Sequence, residues 1–306
     1  MLYSGLDNLV GLVSEKKKAR IEIAAAKVTG EPIGHVLLSG LGGTGKTQFS
    51  RSISEELGGF FVEQEAFSLK KPDDISDLII SSNREAVNLR RKLILFIDEV
   101  HRLTLRLQEV FYYPMKEWRI STKRGYVNLA PFTLIAATTR KDMLDDASFI
   151  QRFPNQWEIK RYHVDHICEI IRRIFIKEKI VAGPSEIQLI ANRCLGIPRQ
   201  ANNLAIKIRN YVLSQGRRVV REPDIEYVFS LEKIDSIGLS ETHQQYLHEL
   251  LNANGVPKGV KALAGKLSLH EESIVGSIEP ILLTLGFIDI CHGRILTEAG
   301  RQHLEN

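Results

Sequence analysis

The chain has 306 residues, 43% of them hydrophobic and 25% charged, and 41 Lys and Arg against 37 Asp and Glu leave a net charge of +4. These values fit about two or three ordinary globular domains and exclude wholesale disorder. No apolar run approaches the roughly 20 residues of a membrane helix, and the N-terminus has no signal-type apolar stretch. The three cysteines (Cys168, Cys194, Cys291) share no disulfide-framework or metal-ligand spacing, so a reducing cytoplasm is expected. A charge of +4 permits nucleic-acid binding without arguing for it.

In chain order, Ser14 to Lys27 predicts a helix. "HVLLSG" (His35 to Gly40) predicts a short strand that stops at glycine, and Lys46 to Leu57 a second helix. "LILFIDE" (Leu93 to Glu99) and "FTLIAATT" (Phe132 to Thr139) are continuous apolar runs. Strands apolar on both faces, alternating with helices, point to a parallel sheet covered on both sides. The character changes after about Trp157. From Val164 to Leu231 the sequence is helical, broken at "AGPSE" and "LGIP", with Ser185 expected as a helix cap after Pro184. Helical stretches near Thr242–Asn252, Val260–Leu267 and Glu271–Leu285 then precede "GFIDICHGRILT", which predicts a hairpin turning at His292-Gly293. Helices followed by a hairpin describe a winged helix. The expected architecture is an α/β nucleotide-binding domain over 1–160, an all-helical domain over 161–236 and a winged helix over 237–306.

The strongest motif is "GLGGTGKT", which fits G-x-x-x-x-G-K-[ST] with a strand before it and a helix after it. Its glycines (Gly40, Gly42, Gly43, Gly45) free the backbone to turn its N–H groups onto phosphate oxygens. Lys46 would meet the β- and γ-phosphates, and Thr47 would supply a hydroxyl to Mg²⁺. Asp98 and Glu99, at the end of an apolar strand, supply the remaining acids. Asp98 would orient the Mg²⁺ shell and Glu99 would polarise a water for attack on the γ-phosphate. That pair favours a hydrolase over a passive nucleotide binder. Thr138 and Thr139 end the third strand, where a hydroxyl reaches toward the same chemistry. In the last domain Lys258 and Lys261 flank Gly259 at the start of the expected second helix, a placement suited to phosphate contact and not to base reading.

At "LFIDEVHRL", "FTLIAATTR" and "GIPRQANNLAIKIRNY" the chain resembles the RuvB family, AAA+ motors that drive Holliday-junction branch migration. "AAAKVTGEPIGHVLLSG", "YYPMKEW", the RF of "IQRF" and "SIEPILLTLGFI" follow the family's pattern in the same order, so the resemblance runs from about Leu6 to Leu304. It implies an AAA+ P-loop domain, a helical lid and a winged helix, with ATP and Mg²⁺ as cofactors. It also implies a homo-oligomeric ring, the hexamer of the family, acting on duplex or branched DNA, with a RuvA-like protein as a possible partner.

Carried over residue by residue, the resemblance implies that Arg152 is an arginine finger for a neighbouring subunit and Arg199 the second sensor. Thr139 is implied as the first sensor, Tyr162 as a nucleotide contact, and Arg294 as a DNA-contacting arginine of the wing. Gly43, Lys46, Thr47 and Gln48 match phosphate-loop ligands, with Gln48 where the family usually has threonine. Two departures stand out. The interval "RISTKRGYVNLAP" (Arg119 to Pro131) is shorter than the family's partner-binding hairpin, which alters the surface for a RuvA-like protein; a turn is still expected at Arg124-Gly125. The wing carries Asp289, Cys291 and His292 where the family is richer in arginine. Two readings follow: a ring-forming DNA motor, or a nucleotide-switched DNA-binding adaptor or loader that recruits another protein.

Overall fold

The computed structural model describes residues 5–123, 125–144 and 147–305, which divide into two compact units. The first comprises residues up to Gly40 and Gly45–Lys160. The second comprises Leu41–Thr44 and Arg161 onward. Among the described residues no helix is long and apolar enough to cross a membrane.

The first unit opens with α1 (Val13–Thr29), β1 (Val36–Ser39), α2 (Lys46–Leu57), β2 (Phe60–Glu65), α3 (Pro72–Asn88) and β3 (Leu93–Asp98). Then come α4 (Leu105–Glu109), α5 (Tyr112–Glu117), the hairpin β4 (Arg119–Thr122) and β5 (Gly125–Asn128), β6 (Thr133–Thr138), α6 (Ala147–Ile150) and β7 (Asn155–Glu158). Five strands form a parallel sheet in the order β2-β3-β6-β1-β7. The three central strands are the three apolar runs, and apart from half-buried Asp98 their residues are all buried. The edge strands β2 (FFVEQE) and β7 (NQWE) were not expected. Each has one side open, so each carries Glu and Gln in place of a continuous apolar run. Parallel register brings the C-terminal ends of β1, β3 and β6 to one edge, and with them Gly40, Asp98 and Thr139. β4 and β5 pair antiparallel as a four-residue ladder. Arg124, half of the expected turn, lies outside the described residues.

In the second unit α7 (Val164–Lys177), α8 (Pro184–Asn192), α9 (Pro198–Ser214) and α10 (Glu222–Leu231) pack around Ile171, Ile190, Ile208 and Phe229. Ser185 is not the cap of α8. Gly183 holds that place and Pro184 is the first helical residue, where its missing N–H costs nothing; the Ser185 hydroxyl turns to Glu186 instead. A second core gathers α11 (Glu241–Leu251), α12 (Val260–Leu267), α13 (Glu271–Ser273), a π-helical turn over Ile274–Ile278 and α14 (Glu279–Thr284) around Tyr246, Leu247, Leu263 and Leu282. The wing follows as β8 (Ile288–Ile290) and β9 (Arg294–Leu296), joined through Cys291, His292 and Gly293. A last helix, α15 (Glu298–Glu305), was not expected. It is short and polar, and its His303 ring stacks on Phe287 at 4.8 Å.

Candidate nucleotide and DNA sites

The phosphate loop is shaped by positions where only glycine fits. Gly40 has φ +144°, and a Cβ there would lie 2.2 Å from the Ile159 carbonyl oxygen. Gly43 and Gly45 have φ +80° and +99°. The N–H groups of Gly42, Gly43 and Gly45 donate to no backbone carbonyl among the described residues, so they remain available as a row of donors. Helix α2 starts directly at Lys46, with Gly45 as its cap and no acid in its first turn, so its positive end meets no counter-charge of its own. Lys46 is buried and its Nζ donates to the Gly40 carbonyl at 2.8 Å. Thr47 is half-buried and Gln48 exposed. This set of donors, a buried ammonium and a hydroxyl fits a nucleotide's phosphates.

Asp98 and Glu99 adopt distinct settings. Burial, and then the charge of Glu99, push the Asp98 carboxyl above its ordinary value, while the Glu99 N–H (2.9 Å to Oδ1) and the Lys46 charge pull it back. An acid destabilised in this way, beside Lys46, fits a divalent cation, which would relieve the repulsion between the two carboxylates. Glu99 sits at φ +52°, a conformation rare for a non-glycine residue. Burial works against its charge too. His101, and then the Thr139 N–H (3.0 Å) and hydroxyl (2.8 Å), more than offset it and hold Glu99 down at about 2. His101 Nδ1 lies 3.2 Å from the same Glu99 oxygen and 2.9 Å from the Thr138 hydroxyl. The Thr138 hydroxyl also accepts the Arg140 N–H at 3.0 Å.

The structure thus brings Lys46, Asp98, Glu99 and Thr139 together and adds His101, which the sequence reading missed. Its signal was present in "DEVHRL", a ring two residues beyond the second acid.

Arg152 stands apart. Its guanidinium lies 4.1 Å from the centre of the Tyr112 ring, its Nε is buried without a hydrogen-bond partner, and it borders a cavity with His35, Trp118 and Pro154. No hydrogen bond or ion pair among the described residues joins it to Lys46, Asp98 or Glu99. In the second unit the Arg199 N–H donates to the Gly43 carbonyl at 3.2 Å, and a Cβ on Gly43 would come within 2.8 Å of the Arg199 Cβ. The Arg199 side chain is exposed. Tyr162 donates its N–H to the Gly196 carbonyl at 2.8 Å, and its ring meets His166 edge-on at 6.4 Å.

At the wing, Arg294 is not a free cation. Its Nε and Nη2 donate to the two oxygens of Glu279, at 2.8 and 3.2 Å. Lys258 bridges β9 through its backbone, and Lys261 is exposed in the first turn of α12.

The chain matches two family models: "Holliday junction DNA helicase RuvB P-loop domain" over residues 3–159 and "RuvB C-terminal winged helix domain" over residues 236–305. It is 33% identical to the Holliday junction branch migration complex subunit RuvB of Thermosipho melanesiensis, a match covering 98% of this chain and 96% of that protein. The protein of the same description from Kosmotoga olearia is 31% identical, over 98% and 88%. Among solved structures, the Thermotoga maritima RuvB Holliday junction branch migration motor superposes with a TM-score of 0.89 at 29% identity, covering 99% of this chain and 97% of that one.

Proposed function

Since the chain belongs to the RuvB family, we propose that it is an ATP-driven motor that moves duplex DNA at Holliday or other branched junctions, as a homo-oligomeric ring in the cytoplasm. The observation that carries the reading is the joined set Lys46, Asp98, Glu99 and Thr139 at one edge of the sheet, in a chain that also ends in a winged helix.

In this reading the open amides of Gly42, Gly43 and Gly45 and the Lys46 ammonium hold the phosphates of ATP, with Gln48 at the first turn of α2. Thr47 and Asp98 would hold Mg²⁺, which would supply positive charge to offset the negative charge that develops on the phosphates. Glu99 orients and polarises a water for attack on the γ-phosphate. The hydroxyl of Thr139 fixes the rotamer of Glu99 and ties it to the end of β6. Arg152 acts in a neighbouring subunit, where its guanidinium would leave the Tyr112 ring for phosphate oxygens. Arg199 acts from the lid, where its N–H already meets the phosphate loop at Gly43. Tyr162 lies against the nucleotide at the start of the second unit. The winged helix supplies the DNA contacts, with Lys258 and Lys261 on phosphates. A RuvA-like partner would meet the β4–β5 hairpin, whose exposed Tyr126 flanks Arg119.

The test is a synthetic four-way junction with one labelled arm, incubated with the protein, ATP and Mg²⁺, with and without a RuvA-type protein. Separation into duplex products that depends on ATP hydrolysis is expected. Junction-stimulated ATPase with no strand separation in either condition would favour the adaptor or loader reading instead.

A further inference from the structure

Glu279, the first residue of α14, is 1% exposed and carries three hydrogen bonds. Tyr246 of α11, fully buried, donates its hydroxyl to Oε1 at 2.9 Å. Arg294 of β9 donates Nε to Oε1 at 2.8 Å and Nη2 to Oε2 at 3.2 Å. The Arg294 side chain keeps only 16% of its surface exposed. A two-pronged guanidinium–carboxylate pair of this kind fixes both groups in position as well as neutralising them.

The backbone of the same residue does something separate. The Arg294 N–H donates to the Lys258 carbonyl at 2.8 Å, and the Lys258 N–H returns a bond to the Arg294 carbonyl at 3.0 Å. Lys258 therefore joins the wing as a one-residue third strand. The approach is close: a Cβ on Gly293 would fall 2.8 Å from the Pro257 Cβ. Neither Lys258 nor Lys261 makes an ion pair among the described residues, whereas Lys266 of the same helix is paired with Glu249. The cations left for an outside partner on this edge are thus Lys258 and Lys261, and the arginine is the group that is already paired.

We propose that Arg294 is a positioning residue and not a DNA ligand: Glu279 and Tyr246 pin it, it pins β9, and β9 through its backbone presents Lys258 to a DNA phosphate. The proposal rests on the reading of the last domain as the DNA-binding one. It makes Glu279 and Tyr246, which lie in helices and touch no DNA, determinants of how the wing engages the duplex.

The experiment is a salt titration of binding to a four-way junction and to plain duplex, using the full-length chain. A single phosphate contact contributes about 0.9 to the slope of log affinity against log salt. Lys258→Ala, a surface change, is expected to lower the slope by about 0.9. Arg294→Ala is expected to weaken binding, because Glu279 is left buried and unpaired and the wing shifts. The deciding variant is Glu279→Met with Arg294→Met. Replacing a buried pair by apolar side chains of similar size is often neutral or stabilising, so the wing is expected to stay in place and binding to return to within about threefold of wild type, slope unchanged.

Arg294→Lys guards against a folding defect in the double variant. It keeps a cation but loses the two-pronged grip, so binding is expected to weaken. If Arg294→Lys binds as wild type, or if a folded double variant loses about 0.9 of slope while Lys258→Ala loses none, Arg294 is the ligand and the proposal is overturned. If Lys258→Ala, Lys261→Ala and Arg294→Ala all leave junction binding unchanged, DNA is held elsewhere and the underlying winged-helix reading fails instead.

Discussion

The phosphate loop and the wing are both short turns carrying basic residues, yet their side chains are governed differently. In the loop, the backbone decides. Gly40 has no room for a Cβ, α2 begins at Lys46, and the ammonium folds back onto the Gly40 carbonyl only six residues away in sequence. In the wing, the side chain is decided by distant residues. Arg294 is claimed by Glu279, 15 residues upstream, and Glu279 by Tyr246, 33 residues before that. A motif written in contiguous residues carries its own geometry, whereas a lone arginine takes its role from whatever the fold brings beside it.

The largest expected effect tests whether the first unit is complete without a neighbour. Arg152 rests on Tyr112 with no bond to the acids, so it contributes nothing to its own subunit's site in this arrangement. Arg152→Ala is expected to lower ATP turnover by about 10³-fold, the lower range for an arginine finger, with nucleotide affinity little changed. Mixed with Lys46→Ala subunits, it is expected to regain activity, because some sites then pair an intact Lys46 with an intact Arg152. A mixture that co-assembles yet is no more active than either parent would rule out action between subunits.

Next in size is Glu99→Gln. The amide keeps the shape but carries no charge to polarise the water, so turnover is expected to fall by about 10²- to 10³-fold while ATP binding persists. Single-turnover hydrolysis and equilibrium binding of a labelled nucleotide separate the two. Normal turnover would remove Glu99 from the role of activating acid and leave the loop as a binding site alone.

A stability comparison sharpens the statement that the loop is ruled by its backbone. Gly40→Ala places a methyl 2.2 Å from a carbonyl oxygen at φ +144° and is expected to cost about 2–4 kcal/mol or to deform the loop. Gly42, two residues on, is exposed with nothing within 4 Å of a Cβ, and Gly42→Ala is expected to stay within about 0.5 kcal/mol. Denaturant titrations of the two variants check this. Equal losses would mean that the loop's conformation is not held by the contact at Ile159.

These contrasts also mark how far the sequence could be read. The central strands β1, β3 and β6 were legible because burial on both faces demands unbroken apolar runs. The edge strands β2 and β7 were not, because a half-open strand admits Glu and Gln. Asp98 and Glu99 were legible as a pair at a strand end, but their opposite shifts were not. The difference comes from Thr139 and His101 both reaching the same Glu99 oxygen. Arg294 was legible as a basic residue in a hairpin; its pairing was hidden because nothing in "SIEPILL" marks Glu279 as buried. The helix cap shows the same limit on a smaller scale: Ser185 has the right chemistry, and Gly183 has the right place.

The smallest expected effect concerns the Thr139 hydroxyl and is read in acid. Glu99 is held at about 2 against an ordinary 4.5, through His101 and the two Thr139 donors acting against burial. A carboxylate depressed by folding adds stability that is fully present above its unfolded value and is lost as pH falls toward its folded one. The window here runs from about 4.5 down to about 2. Thr139→Val is nearly isosteric and removes one donor to a charged acceptor, which is expected to cost about 1–2 kcal/mol at pH 7. Because the lost bond favours only the ionised acid, the gap between wild type and variant is expected to narrow as Glu99 becomes protonated. Urea titrations at pH 7, 4.5, 3 and 2 measure it, with the narrowing expected between pH 3 and pH 2, where folded Glu99 takes up its proton. Asp98 shifts the other way and is present in both proteins, so its own titration largely cancels from the difference. A gap that stays constant from pH 7 down to pH 2 would mean that the cost comes from packing of the methyl groups, and that the link between the end of β6 and Glu99 carries no charge-dependent energy.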